Sequence, residues 1–301
     1  MKLLVLLVIL AFPASLPAQI WLKATVGATS VDLSSRVLPR EFTRVTTSLG
    51  NALTWDSLQP GLELTEFTVE AGRLGMNIRI ILARIEPGRF DFKLVHATKA
   101  NRMTGAWNVA ATPLTAALAI NAGQFKETGP WGWLVLEGME ARDPGFGPLS
   151  VGIVFDSAGR IRWLPFKNLT HTSRNAGVRY AFQSYPTLLF NARVPQLATG
   201  RDLDQSHRDA RLILAEDAAG RILVLLTRYD ALGGAVARVP IGLTVPESIA
   251  LVGALGARHA VMLDGGVSAQ MVLRRRNGRT EIWKGMRDVP LALVAFPRAR
   301  W

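Results

Sequence analysis

The feature that most constrains the fold is a succession of short apolar runs, each long enough for one strand and each bounded by turn residues. Three such runs follow one another closely: Leu62 to Glu70, Met76 to Ile85 and Phe90 to Thr98. Only Ala71-Gly72 and Pro87-Gly88 mark the breaks between them. Alternating or apolar runs separated by glycine and proline are typical of a strand meander, so this part of the chain is predicted to be antiparallel sheet.

The same pattern recurs later as two hairpins. Val151 to Phe155 and Arg160 to Leu164 flank one short turn, and Arg211 to Ala215 and Arg221 to Thr227 flank another. Each pair has the length and apolar character of two adjacent strands. Strands therefore outnumber helices in the prediction.

Two segments carry helix signals. Thr112-Pro113 predicts a short helix that continues through Ala117, because threonine favours the N-cap and proline the first turn. Thr244 to Glu247 has the form of a capping box, and the helix that it begins is predicted to end at Gly256. The buried strand Ala260 to Leu263 follows directly. We predict an α+β fold with a mixed, largely antiparallel sheet and a few packed helices.

The N-terminus indicates an exported protein. Lys2, an apolar run from Leu3 to Phe12 and the small residues before Gln19 are typical of a secretory signal peptide. The alternative is a membrane anchor, but the run is about half the roughly 20 residues that a transmembrane helix needs. We predict a signal peptide at 1–18, a weakly specified lead-in at 19–60 and one domain at 61–301. The mature protein is then periplasmic or extracellular, with no stable membrane span.

The amino-acid composition limits the kinds of metal site and binding partner that the chain can have. The chain has no cysteine, so disulfides and thiolate metal sites are excluded. Its net charge of +12 favours anionic partners, such as sugar phosphates or acidic polysaccharides. Nucleic acid is not predicted, because the basic residues are scattered and Arg274 to Arg276 is the only tight basic run.

The strongest candidate for chemistry is the end of the strand from His259 to Leu263. It stops at Asp264-Gly265-Gly266, which places a carboxylate at the edge of a sheet. Glycine main chain there can approach an anionic or hydroxyl-rich ligand closely. An ordinary Asp-Gly turn is the alternative, but a hairpin turn does not require the Ser268 that follows.

Five segments, in order, resemble the blocks of the phosphodiester glycosidase family, to which N-acetylglucosamine-1-phosphodiester alpha-N-acetylglucosaminidase belongs. They are Ala119 to Phe125, Gln183 to Leu189, His207 to Arg211, Gly242 to Glu247 and Leu263 to Gln270. The resemblance implies a hydrolase that separates a sugar from a phosphodiester in an envelope or extracellular glycoconjugate.

The resemblance also implies roles for residues within these blocks. Asp264 is expected to act as base, nucleophile or hydroxyl anchor, Arg208 to grip the phosphate and Asn121 to orient the sugar or water. Structural alternatives remain for Asn121, as a turn residue, and for Glu247, as part of the capping box. The expected substrate-binding residues are Gly123, Phe125, Gln183, Ser184, His207, Glu247, Gly265, Gly266 and Ser268.

Four residues depart from the family pattern. Val267 replaces the third glycine of the family block, and Tyr185 replaces the glycine before Pro186. Gln270 and Asp209 occupy positions where the family has threonine. The alternative function is therefore a non-catalytic protein that binds sugar phosphates or polysaccharides in the envelope. No cofactor is predicted, because the four histidines lack metal-site spacing. A hard cation such as calcium is compatible with the residues but is not predicted.

Overall fold

The computed structural model describes residues 19–42, 48–97, 106–157, 159–169, 177–197, 203–231 and 237–298. The predicted signal peptide lies outside these ranges. Within them the chain forms short helices α1 (Ser48–Ala52), α2 (Phe166–Leu169) and α3 (Val245–Ala254). The strands are β1 (Leu22–Val26), β2 (Thr29–Asp32), β3 (Asp56–Gln59), β4 (Leu62–Ala71), β5 (Met76–Ile85), β6 (Phe90–His96), β7 (Leu118–Asn121), β8 (Gln124–Lys126), β9 (Gly129–Trp131), β10 (Leu134–Leu136), β11 (Met139–Arg142), β12 (Val151–Asp156), β13 (Ile161–Pro165), β14 (Val178–Ser184), β15 (Thr187–Leu189), β16 (Leu212–Asp217), β17 (Ile222–Tyr229), β18 (Ala257–Met262), β19 (Met271–Arg274), β20 (Thr280–Trp283) and β21 (Leu291–Pro297).

Three large sheets and one small hairpin make up the domain. A nine-stranded sheet has the order β15-β18-β16-β17-β5-β4-β1-β2, with β3 added to β4. Two five-stranded sheets have the orders β11-β10-β14-β12-β13 and β20-β19-β7-β21-β6, and β8 pairs with β9. Among the described residues every strand pair is antiparallel, so the expected mixed sheet is wrong and the expected antiparallel character is confirmed. The fold is also richer in sheet than a balanced α+β protein, with 49% strand and 11% helix.

The centre of the nine-stranded sheet is buried on both faces because β16, β17 and the second half of β5 are apolar at most positions. In β5, Ile81 and Ile85 point into a core shared by the three sheets, whereas Ile80 and Leu82 point to the opposite face. This division follows from the two-residue period of a strand. On the opposite face, α3 packs against the sheet through residues such as Ile249. The three sheets therefore enclose one central core.

The capping-box prediction is confirmed. The Thr244 side chain accepts a hydrogen bond from the Glu247 N–H at 3.3 Å, and the Glu247 carboxylate accepts one from the Thr244 N–H at 3.0 Å. The helix ends before Gly256, which has φ +83°. Glycine adopts this conformation without the steric penalty that a Cβ would bring.

The helix expected from Thr112 to Ala117 is absent. A 3₁₀ turn at Val109–Ala111 precedes this segment, and only one hydrogen bond, from the Ala116 N–H to the Pro113 carbonyl at 3.0 Å, closes a turn within it. The Ala117 N–H instead donates to the Ala295 carbonyl at 2.8 Å, at the start of the pairing between β7 and β21. A helix of about six residues gains too few hydrogen bonds to offset its nucleation, so strand pairing prevails.

Residues 19–60, expected to be weakly structured, contribute to the nine-stranded sheet. Strand β1 pairs with β4 from Leu22 to Thr25, and Ile20, Leu22 and Ala24 are buried. This order was not recognised because β1 and β2 are short and contain many polar residues. The predicted domain boundaries stay a prediction. None of the helices in the described ranges has the length and apolarity needed to cross a membrane.

Candidate functional site

The turn after β18 lies where the ends of the three large sheets meet. The Asp264 N–H donates to the carbonyl of Gly123, just beyond β7, at 3.0 Å. The Ser184 hydroxyl, at the end of β14, donates to the Met262 carbonyl at 2.6 Å. Asp264 is therefore held by elements from all three sheets. The prediction of a buried strand that ends in an acidic, glycine-lined turn is confirmed.

The two glycines of this turn are required by close packing. A Cβ on Gly265 would lie 2.5 Å from the Ala210 carbonyl oxygen. Gly266 has φ +56°, and a Cβ there would lie 2.9 Å from the Asp209 Oδ2. The Gly266 N–H, which was expected to face a ligand, donates to the Ala210 carbonyl at 2.8 Å. Gly266 thus permits the close approach of Asp209 and uses its N–H within the protein rather than for an anion.

The carboxyl group of Asp264 has a perturbed environment. Its pKa is raised to about 6, chiefly because burial disfavours the charged form, and the negative charge of Asp209 adds to the effect. A hydrogen bond from the Ser268 hydroxyl and the positive charge of Arg287 act in the opposite direction. A carboxyl group with such a pKa exchanges protons near neutral pH, which suits acid–base catalysis.

Asp209 is a second carboxylate near this turn, and it is not among the functional residues predicted from the sequence. Burial raises its pKa as well, against the opposing charge of Arg211. Its Oδ1 accepts a hydrogen bond from the Ala210 N–H at 2.8 Å. The negative charge of Asp209 makes ionisation of Asp264 harder, so the two carboxyl groups interact electrostatically. The sequence signal was present, since Asp209 is one of the departures from the family pattern.

Arg287 supplies a cation that the sequence reasoning also missed. Its guanidinium lies over the Phe125 ring, 4.6 Å from the centroid, and its side chain is exposed. Its charge lowers the pKa of Asp264, so the two groups interact electrostatically. Contact with an aromatic face orients the flat guanidinium. Phe125 was expected to bind substrate directly, and the structure places it beneath this cation.

Both polar atoms of the Asn121 side chain form hydrogen bonds within the protein. Its Nδ2 donates to the Asp264 carbonyl at 2.7 Å, and its Oδ1 accepts from the Gln270 N–H at 3.0 Å. The side chain is 1% exposed. Asn121 therefore fixes the backbone of the Asp264 turn, which makes it a positioning residue.

Gln183 and Ser184 are buried behind the turn. The Gln183 Oε1 accepts from the N–H groups of Trp133 and Gly145, each at 2.9 Å. Ser184 binds the end of β18 as described above. His207 is exposed, and its charge acts on Asp209. Gln183 and Ser184 thus support the site, whereas His207 lies at its edge.

Arg208 forms an ion pair with Glu247 instead of standing free for a phosphate. Its Nη1 and Nη2 donate to Glu247 Oε2 and Oε1 at 2.7 and 2.6 Å. Nη1 also donates to the Gly242 carbonyl at 3.2 Å. Glu247 is 1% exposed, so its charge depends on this partner. The two residues connect the Asp209 segment to the start of α3.

We expect Arg208→Met to lower the free energy of unfolding by about 3 kcal/mol, because it leaves the buried Glu247 carboxylate unpaired. The double variant Arg208→Met/Glu247→Leu should recover part of the loss, since neither charge then remains. Urea unfolding measures both. An Arg208→Met protein of unchanged stability that no longer binds inorganic phosphate would instead show that Arg208 serves the ligand.

The structure thus gathers Asn121, Gly123, Gly265, Gly266 and Ser268 around Asp264, and adds Asp209 and Arg287. Arg208 and Glu247 form a separate ion pair. Within the described ranges, no group of three or more histidine and acidic side chains is placed to hold a metal ion.

Comparison with known proteins gives a family and a fold. A family model described as phosphodiester glycosidase matches residues 115–296, more than half of the chain. No curated protein sequence matches significantly. The zebrafish N-acetylglucosamine-1-phosphodiester alpha-N-acetylglucosaminidase catalytic domain, solved in a form auto-inhibited by its pro-peptide, is similar with a TM-score of 0.59 and 14% identity over 86% of this chain and 95% of that one.

Two further structures share the fold. A Synechocystis protein of unassigned function has a TM-score of 0.54 and 16% identity over 82% of this chain. The match spans only 64% of the Synechocystis chain. A Burkholderia pseudomallei protein assigned as exported has a TM-score of 0.51 and 14% identity over 74% of this chain and 75% of that one. At such identities the likeness establishes the fold alone.

Proposed function

The chain belongs to the phosphodiester glycosidase family, and we propose from this that it hydrolyses the bond between the anomeric carbon of a sugar and the phosphate of a phosphodiester. One observation carries the proposal for this chain. The Asp264 carboxyl group, with its pKa raised to about 6, interacts with the Asp209 carboxylate and the Arg287 cation. Two carboxyl groups and a cation are the groups that hydrolysis of an anionic glycoside requires.

Arg287 binds the phosphate in this proposal. A phosphodiester carries one negative charge, and its leaving phosphate gains a second when the sugar–oxygen bond breaks. The exposed guanidinium can donate two parallel hydrogen bonds to phosphate oxygens. It therefore stabilises the leaving group more strongly as the reaction proceeds.

Asp264 acts on the sugar side in its ionised form. As the bond from the anomeric carbon to the phosphate oxygen breaks, its electron pair stays on that oxygen and the carbon becomes electron-poor. A water oxygen then bonds to the carbon, and Asp264 accepts the proton that water loses. Burial, with a smaller contribution from the charge of Asp209, keeps the pKa of Asp264 high and thereby makes it a stronger base at neutral pH.

The substrate class follows from charge and compartment. The net charge of +12 favours polyanionic glycoconjugates. The sequence predicts export, and the similar Burkholderia pseudomallei protein is assigned as exported. We therefore propose an anionic glycopolymer or glycoconjugate of the envelope as substrate, with the protein periplasmic or extracellular.

The proposal is tested by locating the bond that breaks. The protein is incubated in ¹⁸O-labelled water with a panel of sugar 1-phosphates esterified with methanol, and the methyl phosphate product is analysed by mass spectrometry. Cleavage on the sugar side leaves the methyl phosphate unlabelled, because the water oxygen joins the sugar. Release of labelled phosphate would contradict the proposal and indicate attack at phosphorus.

A non-catalytic binding protein is the second candidate. It is favoured by the engagement of Arg208 with Glu247, which removes the cation that the family block was expected to offer the phosphate. Calorimetric binding of the same esters without release of reducing sugar, at any pH between 4 and 9, would support this candidate.

A further inference from the structure

A cavity of ≈ 330 Å³ lies beside the Tyr185-Pro186 peptide. Eight of its twelve lining residues are apolar: four prolines together with Tyr185, Phe190, Leu197 and Leu203. Apolar cavities of about 150 Å³ already bind a benzene-sized hydrocarbon. This cavity is large enough for a hydrocarbon group of greater size.

The two aliphatic hydroxyl groups in the lining, those of Ser150 and Thr187, are already hydrogen-bonded. Ser150 Oγ and Thr187 Oγ1 are 2.7 Å apart, and the Thr187 N–H donates to Ser150 Oγ at 2.9 Å. These groups therefore offer little to a hydroxyl-rich ligand. Water in such surroundings forms fewer hydrogen bonds than in bulk, so its replacement by an apolar group is favourable.

Main-chain hydrogen bonds place one wall of the cavity next to the strand that leads into the Asp264 turn. The Pro186 carbonyl accepts a hydrogen bond from the N–H of Met262, two residues before Asp264, at 3.1 Å. The Tyr185 carbonyl accepts one from Gln124 Nε2 at 3.2 Å, and Gln124 follows Gly123. Two residues of extended strand span about 7 Å. The cavity wall and the Asp264 turn are therefore close neighbours in the fold.

Two lysines give the region the charge that a phosphodiester needs. Lys167 is part of the cavity lining. Lys126 Nζ lies 3.8 Å from the centroid of the Trp131 ring, and Trp131 contacts the Tyr185 ring edge-to-face at 5.6 Å. Positive charge near Tyr185 is complementary to an anion that joins an apolar group to a sugar.

We infer that this cavity binds a hydrocarbon group attached to the substrate phosphate, so that the aglycone of the preferred substrate is lipid-like. The inference rests on the proposed function, because it assigns the two ends of a phosphodiester to the Asp264 turn and to the cavity. Tyr185, where the family block has glycine, supplies part of the apolar wall. The departure at this position then sets aglycone preference.

Binding of alkyl phosphates tests the inference. Calorimetry on the full chain compares inorganic phosphate with n-butyl, n-hexyl and n-octyl phosphate below their micelle-forming concentrations. Affinity should rise by up to about fourfold for each added methylene group until the cavity is filled. Leu203→Gln, which adds a polar group to the wall at similar volume, should weaken n-octyl phosphate binding about tenfold and inorganic phosphate little.

Leu114→Gln is the matched control, because Leu114 is 83% exposed and is not part of the cavity lining. Thermal unfolding confirms that both variants are folded. Equal affinities for all chain lengths would overturn the inference. So would a chain-length dependence that Leu203→Gln leaves unchanged, since that result places the hydrocarbon elsewhere. Because no turnover is measured, a failure of the proposed hydrolysis leaves this result interpretable.

Discussion

Asp264→Asn is expected to lower sugar release by between about a hundredfold and ten-thousandfold, the range for loss of a catalytic acid or base. The amide cannot accept a proton from water, and it places no negative charge near the electron-poor anomeric carbon. Its size is nearly that of the carboxyl group, so the turn should be retained. Release of reducing sugar under saturating substrate measures the effect.

The same variant should be more stable than the parent above pH 6. The pKa of Asp264 is about 6 in the folded protein and about 3.9 in an unfolded chain. The folded state therefore binds this proton more tightly, and stability falls as pH rises from about 4 to about 6. At pH 8 the ionisation of Asp264 lowers the free energy of unfolding by at most about 3 kcal/mol. Asparagine does not ionise, so the variant avoids this loss.

Urea unfolding at pH 4 and pH 8 separates this effect from general acid sensitivity. The stability gain of Asp264→Asn over the parent should be small at pH 4 and largest at pH 8. Asp91→Asn is the matched control, since Asp91 is exposed and pairs with Arg298 at the surface. Full activity in Asp264→Asn would remove Asp264 from the mechanism, and equal stability gains at both pH values would contradict its raised pKa.

Arg287→Gln and Asp209→Asn should move the acid limb of the pH–rate profile in opposite directions. Loss of the Arg287 charge raises the pKa of Asp264, and loss of the Asp209 charge lowers it. Because Asp264 acts when ionised, the limb of kcat/KM moves to higher pH in the first variant and to lower pH in the second.

Arg287→Gln should also weaken binding of the phosphodiester by about tenfold or more, the usual effect of losing a hydrogen bond between charged groups. The control is Arg162→Gln, which removes one exposed arginine from strand β13, outside the site. If the control weakened binding equally, the effect would reflect net charge. If both site variants moved the limb in the same direction, Asp264 would not be the group that titrates.

Much of the secondary structure was predictable because its causes are local. Strand β5 has the predicted bounds, and both hairpins and the capped helix α3 are confirmed. Their apolar periods and turn residues act over a few neighbours. The same local rules predicted a helix from Thr112 to Ala117. The segment is not helical, because the chain at its end pairs with β21, which is distant in sequence.

The site was predictable only in part. Asp264, Asn121 and Ser268 could be identified because each lies within a block of the sequence, and the structure brings them together. Asp209 was noticed as a departure but not as a partner of Asp264. Arg287 lies outside every block, so no pattern in the sequence pointed to it.

By itself the sequence determined the acidic, glycine-lined end of a buried strand and the strand-rich character of the chain, because both depend on residues adjacent along the chain. The tertiary structure determined which charged side chains interact with one another. Arg208 binds the buried Glu247, since an ionised carboxylate withdrawn from water requires a partner. Arg287 is left to act on Asp264, because burial and distance, not sequence spacing, set how strongly charges interact.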